Sequence, residues 1–136
     1  MIIQTGSINQ AIDQAIGSVA DFCALEHIDN YHETRLSLFI EELIANTFNH
    51  GYAPGESVAE LVFNLERNDD LVTLTYRDKG IPFDPHSDLP EDDRSKELEE
   101  RQVGGLGWAL IFKLCERVEY MRDGDENKTI LFRRIT

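Results

Sequence analysis

The apolar positions of this chain repeat with two different periods, and the change of period marks out its elements. Between residues 8 and 23, Ile8, Ile12, Ala15 or Ile16, Val19 and Phe22 or Cys23 recur at helical spacing, with Ser7 or Asn9 available as a cap. This first helix is predicted to end near residues 26–30. A second is predicted from about residue 31 to residue 50, with Gly51 as a left-handed stop and Pro54-Gly55 turning the chain. The period then becomes two. Leu61, Phe63 and Leu65 alternate with polar or smaller neighbours, as do Val72, Leu74 and Tyr76, and the cluster Arg67-Asn68-Asp69-Asp70 between them reads as a hairpin turn. A third helix is predicted to start near Gly107 and to bury Leu110, Ile111, Leu114 and Cys115. Residues 118–122 and 129–134 read as a last hairpin around Asp123-Gly124. No repeat or linker divides the chain, so one domain over residues 1–136 is expected. Helices gathered beside such strands imply an α+β fold: a two-layer α/β sandwich with helices on one face of a mixed, mainly antiparallel sheet.

Composition adds two constraints. Hydrophobic content of 41% and charged content of 29% are ordinary for a globular domain. The charge balance is not: 26 acidic against 13 basic residues give −13, which argues against nucleic acid or an anionic membrane as the main partner. A basic protein partner, or simple solubility, fits that charge. No apolar run approaches the ~20 residues of a membrane span, and the N-terminus lacks a basic stretch followed by an apolar one. Cys23 and Cys115 form no CxxC pair and fall on apolar helical stripes, the placing of structural free thiols in a reducing cytoplasm.

Three polar stretches interrupt the pattern. In "EELIANTFNHGY" (41–52), Glu42 and Asn46 are four apart and project from one helix face. They offer hard oxygen ligands to Mg²⁺, or one ligand beside one base; an exposed Glu-x-x-x-Asn face is the plain alternative. Glu41 points about 100° away, toward solvent or a structural role. In "YRDKGIPFDP" (76–85), Asp78 shares strand parity with Val72, Leu74 and Tyr76, so its carboxylate should point where they do and needs donors there. The exocyclic amine of adenine is one donor, with Gly80 letting a flat base approach; an Asp capping a turn is the other reading. In "VGGLGWAL" (103–110), glycines 104, 105 and 107 precede a helical pattern, and backbone amides there can hold phosphate oxygens or simply allow tight packing. No Gly-Lys-Ser/Thr follows, which excludes a P-loop, and no buried strand precedes, which excludes a Rossmann fingerprint.

Taken in this order, the three stretches resemble the N, G1 and G2 boxes of the GHKL ATPase/kinase superfamily, which includes gyrase, heat-shock chaperones and histidine kinases. The HGY ending of the first box and the Pro-Phe-Asp-Pro extension of the second most closely resemble the anti-sigma-factor serine kinases of bacterial partner-switching systems. The resemblance spans about residues 5–134. It implies that Asn46 ligates the Mg²⁺ bridging the phosphates of ATP, and that Glu42 is the general base taking the proton of an acceptor serine. It further implies that Asp78 accepts the adenine amine, with Gly80 beneath the base and Thr129 close to it. Gly105 and Gly107, with the neighbouring amides of Gly104 and Leu106, would hold phosphates. His50 stands either near the phosphates or as a cap on helix-end carbonyls. His27, His32 and His86 have no companions at metal-ligand spacing and are read as surface residues.

Two departures qualify the match. Pro82 replaces the second glycine of the usual Asp-x-Gly-x-Gly and stiffens that loop. A lid over about 86–102 exceeds the ~12–15 residues usual for a loop without function. It is strongly acidic, and Arg101 is the expected phosphate partner within it, a solvated charged face being the alternative. The resemblance therefore implies an ATP-dependent serine/threonine protein kinase that phosphorylates a small anti-sigma-factor antagonist and holds a sigma factor or similar output protein, as a cytoplasmic homodimer. The alternative is a non-catalytic module that binds ATP and acts by sequestration. The catalytic domain of a histidine kinase is not expected, because the chain begins too shortly before the Glu42 box to carry a phospho-accepting helical hairpin.

Overall fold

The computed structural model describes residues 1–50, 59–88 and 105–136. In chain order the elements are β1 (Ile2–Thr5), α1 (Ile8–Leu25), α2 (Asn30–His50), β2 (Ala59–Asn68), β3 (Leu71–Asp78), α3 (Gly105–Leu114), β4 (Arg117–Asp123) and β5 (Glu126–Arg134).

Local chemistry sets the helix ends. Ser7 is extended and its Oγ accepts from the Gln10 amide at 3.3 Å, so Ser7 rather than Asn9 caps α1. At the other end His27 takes a left-handed φ of 56°, and the Ile28 amide returns to the Cys23 carbonyl at 2.9 Å. That is a Schellman closure made without glycine. Asp29 then accepts from the His32 amide at 3.1 Å and opens α2.

The five strands form one sheet in the order β1-β2-β3-β5-β4, and all four described pairings are antiparallel, so the parallel component expected of a mixed sheet is absent among the described residues. The β2–β3 strands run to Asn68 and from Leu71, which narrows the expected four-residue turn to Asp69-Asp70, with Asp69 at a φ of 55°. Strand β1 was not predicted. It pairs Ile2 to Thr5 against Val62 to Ala59 and sends Ile3 into the core while Ile2 stays exposed.

One sheet face carries Ile3, Leu61, Phe63, Val72, Leu74 and Leu131, and the helices close over it. From α1 the buried line is Ala11, Ala15, Val19 and Cys23; Ile8 and Ile12 flank it. Small alanines make up the first half of that line, and α2 adds Leu36, Phe39, Ile40, Leu43 and Ile44 to the core. Helix α3 starts at Gly105, two residues before the expected point, and buries Trp108 and Ile111. That line turns Leu110 outward, to 37% exposure, contrary to the expected burial. His32 also corrects its surface reading: it is buried, with Nδ1 3.2 Å from Nη2 of Arg133. No helix among the described residues is long and apolar enough to cross a membrane.

Candidate functional site

Helix α2 presents three polar side chains near its C-terminal end to three different surroundings. At 100° per residue, Asn46 lies about 40° round from Glu42, and Thr47 about 140° round. Asn46 therefore stands between a face turned to α3 and a face turned to the sheet. Glu42 and Asn46 are half-buried, and Thr47 is buried.

On the sheet side Thr47 meets the end of β3. Its hydroxyl donates to Oδ2 of Asp78 at 2.7 Å and lies 2.6 Å from the Tyr76 hydroxyl and 3.1 Å from the Leu43 carbonyl. Strand parity places Asp78 on the helix side, and it is 7% exposed. Its Oδ1 accepts from the Gly80 amide at 3.0 Å and from Nδ2 of Asn127 at 2.9 Å. The turn-capping reading of Asp78 is realised at Gly80, and the same carboxylate is buried with protein donors on its inward side. The Gly80 carbonyl in turn accepts from Nη1 of Arg122 at 2.8 Å.

On the other side Glu42 meets α3. Its carboxylate lies against Gly107: a Cβ built there would come within 2.1 Å of Oε2. Oε1 is buried and has no hydrogen-bond partner among the described residues. Burial pushes the Glu42 carboxyl up to about 7. A buried acceptor without a donor among the described residues is costly to fold, which makes this carboxylate a candidate for contact with a bound molecule. The opening of α3 nearby offers backbone amides and the positive end of the helix dipole.

The other expected site residues fall as follows. Gly105 and Leu106 form the first turn of α3, and His50 ends α2. Thr129 is buried on β5 opposite Tyr76, two residue pairs along from Asp78 and Asn127 and so on the same face. Pro82 is exposed on the loop after Gly80. Arg101 and Gly104 lie outside the described residues, as do Gly51 and the lid from residue 89 onward. Glu42 with Gly107, and Asp78 with Gly80, are in direct contact, and α2 connects the two pairs over roughly 7–8 Å of helix rise.

Sequence reasoning missed Thr47 and Asn127. Neither its type nor its spacing sets Thr47 apart in the sequence; only its angle toward the sheet distinguishes it. The strand expected at 129–134 leaves Asn127 out, whereas β5 begins at Glu126 and includes it. Its parity with Thr129 and Leu131 was the available signal.

A family model described as histidine kinase-like ATPase domain matches residues 8–133. No curated protein matches the chain. Among solved structures, the Acinetobacter baumannii histidine kinase AdeS is similar with a TM-score of 0.52 at 15% identity, over 100% of this chain and 68% of that one. The histidine kinase domain from the Erythrobacter litoralis EL346 blue-light activated histidine kinase gives a TM-score of 0.49 at 17% identity, over 76% of this chain and 44% of that one. The chain thus spans less than half the length of the latter. Helices over an open antiparallel sheet of five strands are the α/β fold that this family model and the AdeS likeness describe.

Proposed function

We propose, for a chain that belongs to the histidine kinase-like ATPase domain family, that it is an ATP-dependent serine/threonine protein kinase of the anti-sigma-factor type. The observation that carries this reading is the buried carboxylate of Glu42, one turn before Asn46 and packed on Gly107, with an oxygen that nothing described satisfies. General bases work best with a pKa near the operating pH, and burial has moved Glu42 there.

In this reading the adenine amine of ATP donates to Asp78, with Gly80 against the base and Thr129 and Pro82 at its edge. The triphosphate runs toward Gly104, Gly105, Leu106 and Gly107, with His50 and Arg101 as further phosphate neighbours. Among the described residues no three His, Cys, Asp or Glu side chains gather as a metal site. Asn46 offers a single hard oxygen, which fits Mg²⁺ held mostly by phosphates and water. When bound, the ion neutralises phosphate charge. Glu42 accepts the hydroxyl proton of the acceptor serine or threonine as that oxygen bonds to the γ-phosphorus. The bond from the γ-phosphorus to the bridging oxygen breaks, and ADP leaves with the electron pair. Positioning and charge neutralisation are most of what this chemistry asks.

The phospho-acceptor would be a small anti-sigma-factor antagonist, and the second partner a sigma factor or similar output protein, met by a homodimer in the cytoplasm. A net charge of −13 suits basic protein partners and neither nucleic acid nor an anionic membrane. The test is transfer of labelled γ-phosphate to a candidate antagonist. Wild type should transfer, and Glu42→Gln should lose roughly 10²–10⁴-fold in rate with ATP affinity kept. Transfer by Glu42→Gln at the wild-type rate contradicts the assignment; ATP binding without any transfer favours the non-catalytic module instead.

A further inference from the structure

Asn127 is 6% exposed and makes four hydrogen bonds. Its Nδ2 donates to Oδ1 of Asp78 at 2.9 Å and to the Ile81 carbonyl at 2.8 Å. Its Oδ1 accepts from the Phe83 amide at 3.2 Å and from the Tyr120 hydroxyl. A primary amide has two N–H groups and two lone pairs on oxygen, so its capacity is filled. The partners also fix its orientation. Turned over, its oxygen would face the Asp78 carboxylate and the Ile81 carbonyl, both acceptors.

The same count applied to Asp78 leaves a remainder. A carboxylate offers about four lone-pair positions. Asn127 and the Gly80 amide take those of Oδ1, and Thr47 takes one on Oδ2. The Thr47 hydroxyl has a single hydrogen. Of the two pure acceptors around it, the Asp78 carboxylate at 2.7 Å is nearer than the Leu43 carbonyl at 3.1 Å and takes that hydrogen, which leaves Tyr76 to donate to the Thr47 oxygen. Every described contact therefore brings a hydrogen to Asp78, and among the described residues one acceptor position, on Oδ2, has no donor.

We propose that Asn127 and Thr47 are positioning residues of the base site: together they hold Asp78 so that its one open acceptor meets a purine amine, while Asn127 also ties down the loop 80–83. This rests on the nucleotide reading above and assigns its selectivity to one further residue inside the first box and one beyond all three. A purine with oxygen at position 6 would set that oxygen against the carboxylate, whose place Asn127 and Thr47 do not let it leave. Loosening either should therefore cost ATP more than it costs the 6-oxo analogue.

The test is calorimetric titration with ATP and with ITP, in Mg²⁺, of wild type, Asn127→Ala, Thr47→Val and Thr47→Ser. Wild type should prefer ATP, and Thr47→Ser should keep that preference within about twofold. Asn127→Ala and Thr47→Val should each lose on the order of tenfold in ATP affinity with little change for ITP, the size expected when one hydrogen bond to a charged group is removed. Should Asn127→Ala fail to fold, Thr47→Val, which keeps the side-chain shape, decides. Parallel losses for ATP and ITP, or no loss, overturn the proposal and leave the nucleotide site standing. A wild type that binds neither nucleotide overturns the nucleotide reading itself.

Discussion

Glu42 and Gly107 occupy one another's space: a Cβ on Gly107 would stand 2.1 Å from Oε2 and 2.3 Å from Cδ of Glu42. No residue but glycine fits beneath this carboxylate as it is placed. The obstructing atoms are the far end of a long side chain, so a methyl group there would push the carboxylate aside rather than break α3. Gly107→Ala should fold and bind ATP but transfer phosphate roughly 10²-fold more slowly, the scale set by misplacing a catalytic group by about 1 Å. Single-turnover transfer, measured beside ATP affinity, checks the split.

The pH dependence follows from the same carboxylate. Its folded-state pKa of about 7 lies above the ordinary 4.5 because burial disfavours its charge. Below 4.5 the group is protonated folded or unfolded, and the folded protein gains fully from keeping it neutral. As pH rises from 4.5 to about 7 the unfolded chain ionises first, so that stability is lost. Urea melts of the ligand-free protein should show wild type losing stability relative to Glu42→Gln across that window, the difference between the two isolating Glu42 from the other titrating groups. Phosphate transfer should run the opposite way, rising with pH to a half-point near 7 as the base ionises.

Burial also holds both thiols in the protonated form. It pushes Cys23 up to about 11, with Glu33 adding to the effect. It pushes Cys115 up to about 12, against the opposing pull of Arg133. The thiolate is the reactive species, so at pH 8 both should react with a disulfide reagent on the order of a hundredfold more slowly in the native protein than in urea. A fast native phase would contradict their structural reading.

Stability should respond to the core and to the caps on different scales. Phe39 on α2 is fully buried among the helices and the sheet, and Phe39→Ala should cost about 3–5 kcal/mol. Ser7→Ala removes one acceptor at the start of α1 and should cost about 1 kcal/mol. Denaturant midpoints at constant slope measure both.

Much of the architecture was legible because long, periodic segments leave a clear imprint. The stripe from Ile8 to Cys23, the apolar run before Glu42 and the alternation through Val72, Leu74 and Tyr76 each appear as helix or strand where expected. Strand β1 was not legible: four residues at a sheet edge have too few alternations to stand out, and pairing with β2 rather than propensity makes them extended. The start of α3 escaped by two residues because glycines carry no periodic signal. His32 read as surface because a lone histidine on a helix says nothing about an arginine a hundred residues later.

At the site, the box residues were legible as types and spacings, and their supports were not. Nothing near Asp78 in the sequence names Thr47 or Asn127. One comes from a helix about 30 residues earlier and the other from a strand about 50 residues later, and only β3–β5 pairing sets Asn127 opposite Asp78. Short-range pattern finds polar groups such as Glu42 and Asp78; long-range pairing finds the side chains that contact them.

The most direct measurement of the nucleotide assignment is the thermal shift given by ATP with Mg²⁺ in wild type and in Asp78→Asn. At a hundredfold excess over its dissociation constant, ATP should stabilise wild type by about 2.7 kcal/mol and raise the melting temperature accordingly. Asp78→Asn, which can turn a donor toward the adenine amine, should lose most of that rise. An equal rise in both proteins, or none in wild type, would contradict the placing of the base against Asp78.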